Sequence, residues 1–172
     1  QKNFEILSEK NKHIKNLEIF NIGLGDKKEI LNFKQHVESQ SSTLIKINDE
    51  SNYYKRKNFY LNFFNKNKIQ FYNVKVKIDR LDNILNLLKI QYIDILKIDT
   101  EGYDFNVIKG LGEHIKNVKY IYFEHHFHNM LIKNYNLSNI HNYLEKKNFK
   151  KVFKIKMYFR KTFEYIYLNK SF

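Results

Sequence analysis

The stretch YIDILKIDTEGYDFNVIKGL, residues 92–111, decides the fold. Its apolar run at residues 93–98 stops at Asp99, and two further carboxylates, Glu101 and Asp104, follow before a helical pattern begins. A short apolar run bounded in this way is typical of a strand buried in a parallel sheet. Because burying unpaired carboxylates within a strand costs several kcal/mol each, we expect these groups where the chain leaves the core and meets a cleft.

Strands and helices alternate on both sides of this stretch. The alternation predicts an α/β fold with a mostly parallel sheet covered on both faces, and the last two strands predict an antiparallel hairpin at one edge. Residues 23–26 are predicted to form a turn, and Ser138 to cap the last helix. With no linker or internal repeat, we expect a single domain over residues 1–172. The predicted helices cover residues 3–15, 81–88, 103–115 and 138–147, and the predicted strands cover residues 17–22, 30–33, 72–78, 93–98, 118–123, 152–159 and 163–168.

One long segment, residues 35–68, has no clean period. A stretch of this length within a domain is usually a functional loop or lid, and its interleaved aromatic and basic residues are suited to stacking on bases or sugars. The alternative is an insertion that packs locally, and we favour this alternative.

The composition excludes several classes of protein. The formal net charge is +13, but only three residues are arginine, the side chain whose planar fork pairs with guanine. We therefore expect no specific nucleic-acid partner. Cysteine is absent, which excludes disulfides and thiolate metal sites. No apolar run is long enough to span a bilayer and no signal-peptide pattern opens the chain, so we expect a cytoplasmic protein with no membrane partner.

Polar residues follow two neighbouring predicted strands. Asp99 follows one of them, and Glu124 and His126 follow the next. Since ligands bind at the carboxyl ends of the strands in an open parallel sheet, we expect Asp99, Glu101, Glu124 and His126 to converge on one cleft. Lys97 lies two residues before Asp99, on the same strand face, so we expect it to pair with a carboxylate.

The carboxylates at residues 101 and 104 also surround a predicted helix start. Carboxylates there are stabilised by the helix dipole, by roughly 0.3–1 kcal/mol. We interpret Asp104 in this way. Asp99 precedes the helix by several residues, so the same explanation fits it less well.

A metal site is the alternative interpretation of the second strand end. Glu124, His126 and His128 would share one face if the strand continued, and Asp99 would complete a divalent-ion site. The other interpretation is a strand end with solvated histidines, which we favour. The sequence therefore predicts no metal, and activity that survives chelation by EDTA.

Several motifs resemble the FkbM family of S-adenosylmethionine-dependent methyltransferases. The residues that carry the resemblance are LDNIL at 81–85, IDILKIDTEGYDFNVIKG at 93–110 and IYFEHH at 121–126. Upstream, NIGLGDKKEILNF at 21–33 resembles the segment after the third strand of the family. The resemblance implies a Rossmann-like methyltransferase sheet, S-adenosylmethionine as the cofactor, and O-methylation of a sugar or another small hydroxylated metabolite.

The resemblance also implies the site residues. Together with the strand-end positions, it makes Asp99 and His126 candidates for proton acceptance or for orienting the acceptor, with Glu101 and Glu124 shaping the acceptor site. It implies a role in cofactor binding for three further residues, Gly25, Asp26 and Ser42. The alternative function is a non-catalytic glycan- or polyanion-binding module on the same fold.

One departure from the family pattern concerns the N-terminal end. The glycine-rich loop after the first strand of the family, and the acidic residue that ends its second strand, have no counterpart here. We therefore interpret the chain as the C-terminal two-thirds of a methyltransferase domain, N-terminally truncated, with the first strand-helix units missing. On this interpretation, the chain alone is expected to bind S-adenosylmethionine weakly or not at all.

Overall fold

The computed structural model describes residues 2–36, 42–64, 71–158 and 160–172. The helices are α1 (Lys2–Asn11), α2 (Asn52–Phe64), α3 (Leu81–Leu87), α4 (Asp104–Lys109) and α5 (Leu137–Lys146), with a 3-10 helix at Gly112–Asn117. The strands are β1 (Gly23–Gly25), β2 (Glu29–His36), β3 (Lys46–Ile47), β4 (Phe71–Arg80), β5 (Ile93–Ile98), β6 (Val118–His126), β7 (Leu131–Ile132), β8 (Phe149–Lys156) and β9 (Thr162–Asn169).

The strands form three small sheets, of which the largest positions the site. It has four strands in the order β5-β6-β9-β8. Strands β5 and β6 are parallel, with Ile93 opposite Val118 and Ile98 opposite Phe123. This register brings the carboxyl end of β5 beside the last residues of β6. The other sheets have the orders β1-β4-β2 and β3-β7.

The α/β class is confirmed, but a mostly parallel sheet is not. Among the described strands, β1 with β4 and β5 with β6 pair in parallel, and the other four pairings are antiparallel. The physical reason is that β2 runs back along β4 as a long antiparallel partner, which the sequence did not reveal. The predicted terminal hairpin is confirmed, because β8 and β9 pair in antiparallel fashion.

The main core lies around strand β6 and the helices beside it. Phe123 is fully buried and its ring stacks against Tyr165 and Tyr167 of β9, with ring centroids 5.7 Å apart in both pairs. Ile140 and Leu144 of α5 are also fully buried in this cluster. Each such side chain contributes roughly 1.5–3 kcal/mol through removal of its apolar surface from water. The core therefore holds the end of β6 in place.

The predicted strand at residues 17–22 is wrong, and β1 forms at the predicted turn instead. Gly23 and Gly25 bring this strand close to Ile78 of β4; a Cβ atom on Gly23 would lie 2.4 Å from the Cδ1 atom of Ile78. The alternating residues before it are exposed, with Leu17 at 44 % and Phe20 at 43 %. The strand therefore forms where glycines pack closely against the Ile78 side chain, and the alternation of apolar residues in the sequence gives no information about this contact.

The aperiodic segment is partly structured. Within its described part, β3 and α2 form, and Tyr53 and Tyr54 pack against a small cluster of Ile47, Met130 and Leu131. The packed-insertion interpretation is confirmed for this part. Residues 37–41 and 65–68 of the segment lie outside the described residues.

Two helix predictions need correction. The predicted helix at 103–115 divides into α4 and the 3-10 helix, because Gly112, where the 3-10 helix begins, adopts a φ of 52°. The cap of α5 is Asn136 and not Ser138: Asn136 and Asn139 each accept a hydrogen bond from the backbone N–H of the other. This reciprocal pair satisfies two donors at the helix start.

Candidate active site

The carboxyl ends of β5 and β6 form one wall of a cavity of about 840 Å³. Asp99, Glu101 and Glu124 line this cavity together. The predicted convergence of the strand ends is therefore confirmed for these residues. Helix α1 and strand β1 contribute an apolar side to the same cavity, through Phe4 and Leu24 among others.

His126 lies beside the two glutamates. Its Nε2 atom is 3.4 Å from Oε2 of Glu101 and 3.5 Å from Oε2 of Glu124. The side chain of His126 is only 5 % exposed, and its Nδ1 atom lies 3.1 Å from the hydroxyl of Thr162 on β9. One oxygen or nitrogen from each of the three side chains lies within 4.8 Å of the others. We call Glu101, Glu124 and His126 the Glu-Glu-His cluster.

A turn with unusual backbone geometry presents Glu101 to the cluster. Glu101 has a φ of 48° and Gly102 a φ of 98°, both in the left-handed region. The hydroxyl of Thr43 donates to the carbonyl of Glu101 at 2.8 Å, and the hydroxyl of Tyr135 donates to the carbonyl of Gly102 at 2.7 Å. A non-glycine residue in this region costs on the order of 1–3 kcal/mol, and such strain concentrates at functional sites.

Burial controls the ionisation of the cluster. Burial, and next the charges of Glu101 and Asp99, raise the pKa of Glu124 to about 7. Burial also raises the pKa of Glu101. Burial lowers the pKa of His126 to about 3, so its imidazole is neutral at physiological pH. The cluster thus holds two carboxyl groups beside an uncharged ring.

Asp104 lies at the helix start, as predicted, and it is buried there. It begins α4 and is only 1 % exposed. Its Oδ1 atom accepts hydrogen bonds from the backbone N–H of Thr100 at 3.2 Å and from the Thr100 hydroxyl at 3.0 Å. Burial raises the pKa of Asp104 to about 6. Asp104 thus closes the turn behind the cluster.

The expected ion pair of Lys97 does not form among the described residues. The ammonium of Lys97 lies over the ring of Tyr122, 5.1 Å from its centroid, and the side chain lines the cavity. Lys97 and Tyr122 are opposite each other in the parallel β5–β6 pair, which explains the contact. A cation–π contact at this exposure is worth roughly 0.5–1 kcal/mol.

The three predicted cofactor residues divide into two groups. Ser42 lines the cavity. Gly25 and Asp26 have packing contacts outside the cavity wall: Asp26 pairs with Lys109 at 2.6 Å, and a Cβ atom on Gly110 would lie 2.1 Å from the carbonyl oxygen of Gly25. Gly25 and Asp26 thus contact the end of α4, and their predicted role in cofactor binding stays a prediction.

Sequence reasoning missed the contribution of the terminal hairpin. Arg160, Glu164 and Met157 line the cavity, and Thr162 contacts His126. Glu164 is paired in register with Glu124, since β9 lies next to β6. The sheet order that places β9 there was the missing information, because alternation along the chain does not give the order of strands.

The fold is of the α/β class, and its cavity lies at the carboxyl ends of two neighbouring parallel strands, where open α/β sheets bind their ligands. A family model, the methyltransferase FkbM domain, matches residues 1–151, and the chain belongs to this family. The protein is thus a methyltransferase. No curated protein and no solved structure matches the chain. No described helix is long and apolar enough to cross a membrane.

Proposed function

We propose that the protein transfers a methyl group from S-adenosylmethionine to a hydroxyl of a sugar or of another small hydroxylated metabolite. The observation that carries the proposal is the cavity itself, where the ends of β5 and β6 place Asp99, Glu101 and Glu124 on one wall. Its volume of about 840 Å³ lies in the range of small-molecule sites.

The lining of the cavity fits the proposed cofactor. The cofactor supplies, when bound, a methyl group activated on a positively charged sulfonium. Carboxylates on one wall suit this charge and the ribose hydroxyls, and the apolar side near Phe4 and Leu24 suits a purine ring. Of the residues predicted to bind the cofactor, Ser42 lies in this lining and is the one we retain.

The role of the protein in methyl transfer is alignment and removal of the acceptor proton. Asp99 is exposed to the cavity at the end of β5, and we assign to it the acceptance of the hydroxyl proton. The pKa of His126, lowered to about 3, makes its ring a poor proton acceptor. We therefore assign the Glu-Glu-His cluster to holding the acceptor hydroxyl.

The test is methyl transfer by the full protein from isotopically labelled S-adenosylmethionine to a panel of sugars and small hydroxylated metabolites. The proposal predicts a methyl ether on one class of acceptor. Methylation of an amine, a carboxylate or a thiol would contradict it. Binding of glycans or polyanions without any transfer would instead support a non-catalytic binding module.

A further inference from the structure

We propose that Glu101, Glu124 and His126 bind a divalent metal ion of the manganese or zinc type. The inference goes beyond methyl transfer and does not depend on it, because metal binding is measured without acceptor or cofactor. It also reverses the preference for solvated histidines that the sequence suggested. The evidence is the geometry of the cluster.

The spacing of the cluster matches that of ligands around one ion. Bonds from zinc to nitrogen and carboxylate oxygen are about 2.1 Å long, so neighbouring ligand atoms in a tetrahedral site lie about 3.4 Å apart. The Nε2 atom of His126 lies 3.4 Å from Oε2 of Glu101 and 3.5 Å from Oε2 of Glu124. These separations are longer than a normal hydrogen bond and suit an ion placed between the atoms.

Two buried polar atoms of the cluster have no hydrogen-bond partner among the described residues. Within the described ranges, Nε2 of His126 and Oε1 of Glu124 are both buried and unpaired. Only 5 % of the His126 side chain is exposed, and its Nε2 atom faces the carboxylates of Glu101 and Glu124. Since nearly all buried polar atoms in proteins are satisfied, an unpaired nitrogen aimed at two carboxylates indicates a missing ligand.

The opposite side of the imidazole ring supports the same assignment. The Nδ1 atom of His126 lies 3.1 Å from the hydroxyl of Thr162. If Nδ1 carries the hydrogen and donates it to Thr162, Nε2 presents its lone pair to the cluster. A hydrogen bond of this kind on the outer ring nitrogen fixes the orientation of metal-binding histidines.

The charge of the cluster calls for a cation. Two carboxyl groups lie side by side and half-buried, with exposures of 25 % for Glu101 and 12 % for Glu124. The positive charges of Lys57 and Arg160 act on Glu101, and the positive charge of Arg160 acts on Glu124. A divalent ion would neutralise both carboxylates at once.

The ligand types select the class of metal. Magnesium and calcium prefer oxygen ligands alone, whereas imidazole suits zinc and the later first-row metals. One imidazole with two carboxylates is a mixed set that manganese and zinc both accept. Because Glu101 and Glu124 also line the cavity, a bound ion would lie beside the acceptor and could polarise its hydroxyl as a Lewis acid.

In the experiment, the metal-free protein is titrated with each of two ions. Binding of Mn²⁺ is measured by electron paramagnetic resonance of the free ion, and binding of Zn²⁺ is measured by calorimetry. We expect one ion per chain and an increase in melting temperature when either ion binds. His126→Gln and Glu124→Gln should each weaken binding by more than about tenfold. Glu101→Gln, which changes a turn residue and not a strand residue, is the variant to use if the strand variants do not fold.

Two matched controls decide the outcome. Glu164→Gln removes one carboxylate from the same cavity but from outside the cluster, and His114→Gln removes a surface histidine. Both should retain the wild-type affinity. The proposal is overturned if the wild-type protein shows no saturable binding, or if the controls lose as much affinity as the cluster variants.

Discussion

The Nε2 atom of His126 lies 3.4 Å from the Oε2 atom of Glu101, although one residue ends strand β6 and the other lies in the turn after β5. The contact exists because β5 and β6 run in parallel with their carboxyl ends together. Glu101 makes this contact from a left-handed backbone conformation, with a φ of 48°. The Glu-Glu-His cluster therefore includes one residue with a strained backbone.

Glu101→Gly should separate stability from function. Glycine adopts a φ of 48° without strain, so the free energy of unfolding should stay the same or rise by about 1 kcal/mol. Metal affinity and turnover should fall, because the carboxylate is lost. Chemical denaturation and metal titration of the same samples measure the two effects.

The control for this substitution is Lys89→Gly. Lys89 is an exposed residue with a φ of 57°, and it lies before the start of β5, whereas Glu101 follows the end of this strand. It should gain stability in the same way with unchanged metal binding and turnover. A marked loss of stability in Glu101→Gly would show that its side chain supports the fold.

Strand β5 was predicted with the bounds that the structure shows, because an apolar run that stops at a charge is a sharp local signal. Strand β6 extends beyond its predicted end to His126, since pairing of His126 with Thr162 on β9 continues the strand through three polar residues. That pairing is tertiary and leaves no periodic trace in the sequence.

The site shows the same division between local and tertiary information. The strand-end positions of Asp99 and Glu124 followed from apolar patterning. The burial of Asp104 did not, because it depends on how Thr100 and the start of α4 fold over the turn. Gly23 and Gly25 were interpreted as a turn because glycines in a strand are informative only once their close contact with Ile78 is known.

Asp104→Asn should flatten the pH dependence of stability. The pKa of Asp104 is raised from 3.8 to about 6 in the folded chain, so the folded state holds its proton more tightly than the unfolded state. The stability contributed by this group is fully present below pH 3.8 and is lost as the pH rises through about 6. The loss between about pH 4 and pH 7 is on the order of 3 kcal/mol.

The asparagine variant retains a carbonyl oxygen to accept both hydrogen bonds from Thr100, but it carries no charge to bury. Its unfolding free energy should change less across this pH interval than that of the wild type. Asp94→Asn, an exposed position at the start of β5, should keep the wild-type slope. Equal slopes for the wild type and Asp104→Asn would show that Asp104 is not titrating in this range.

Tyr165→Phe should stabilise the core or leave its stability unchanged. The hydroxyl of Tyr165 is buried and, within the part of the chain that the structure describes, has no hydrogen-bond partner. Removing an unsatisfied buried hydroxyl recovers its desolvation cost, roughly 1 kcal/mol or more, while the ring still packs on Phe123. Thermal and chemical denaturation measure the change.

Tyr167→Phe is the matched comparison on the same strand. Its ring also packs on Phe123, but its hydroxyl lies 3.2 Å from the Nδ1 atom of His141. Loss of this hydrogen bond should cost about 0.5–1.5 kcal/mol. If both variants lose stability equally, the hydroxyl of Tyr165 has a partner in solution.

The most direct measurement of the central claim is the turnover of Asp99→Asn in the full protein, with melting curves of the same preparations. The substitution keeps the size of the side chain and removes its negative charge. If Asp99 accepts the acceptor proton, turnover should fall on the order of 10²–10⁴-fold with little change in melting temperature. Asp94→Asn, the same substitution at the opposite end of β5, should retain wild-type turnover. Unchanged turnover per folded molecule in Asp99→Asn would contradict the assignment of the active site to the carboxyl ends of β5 and β6.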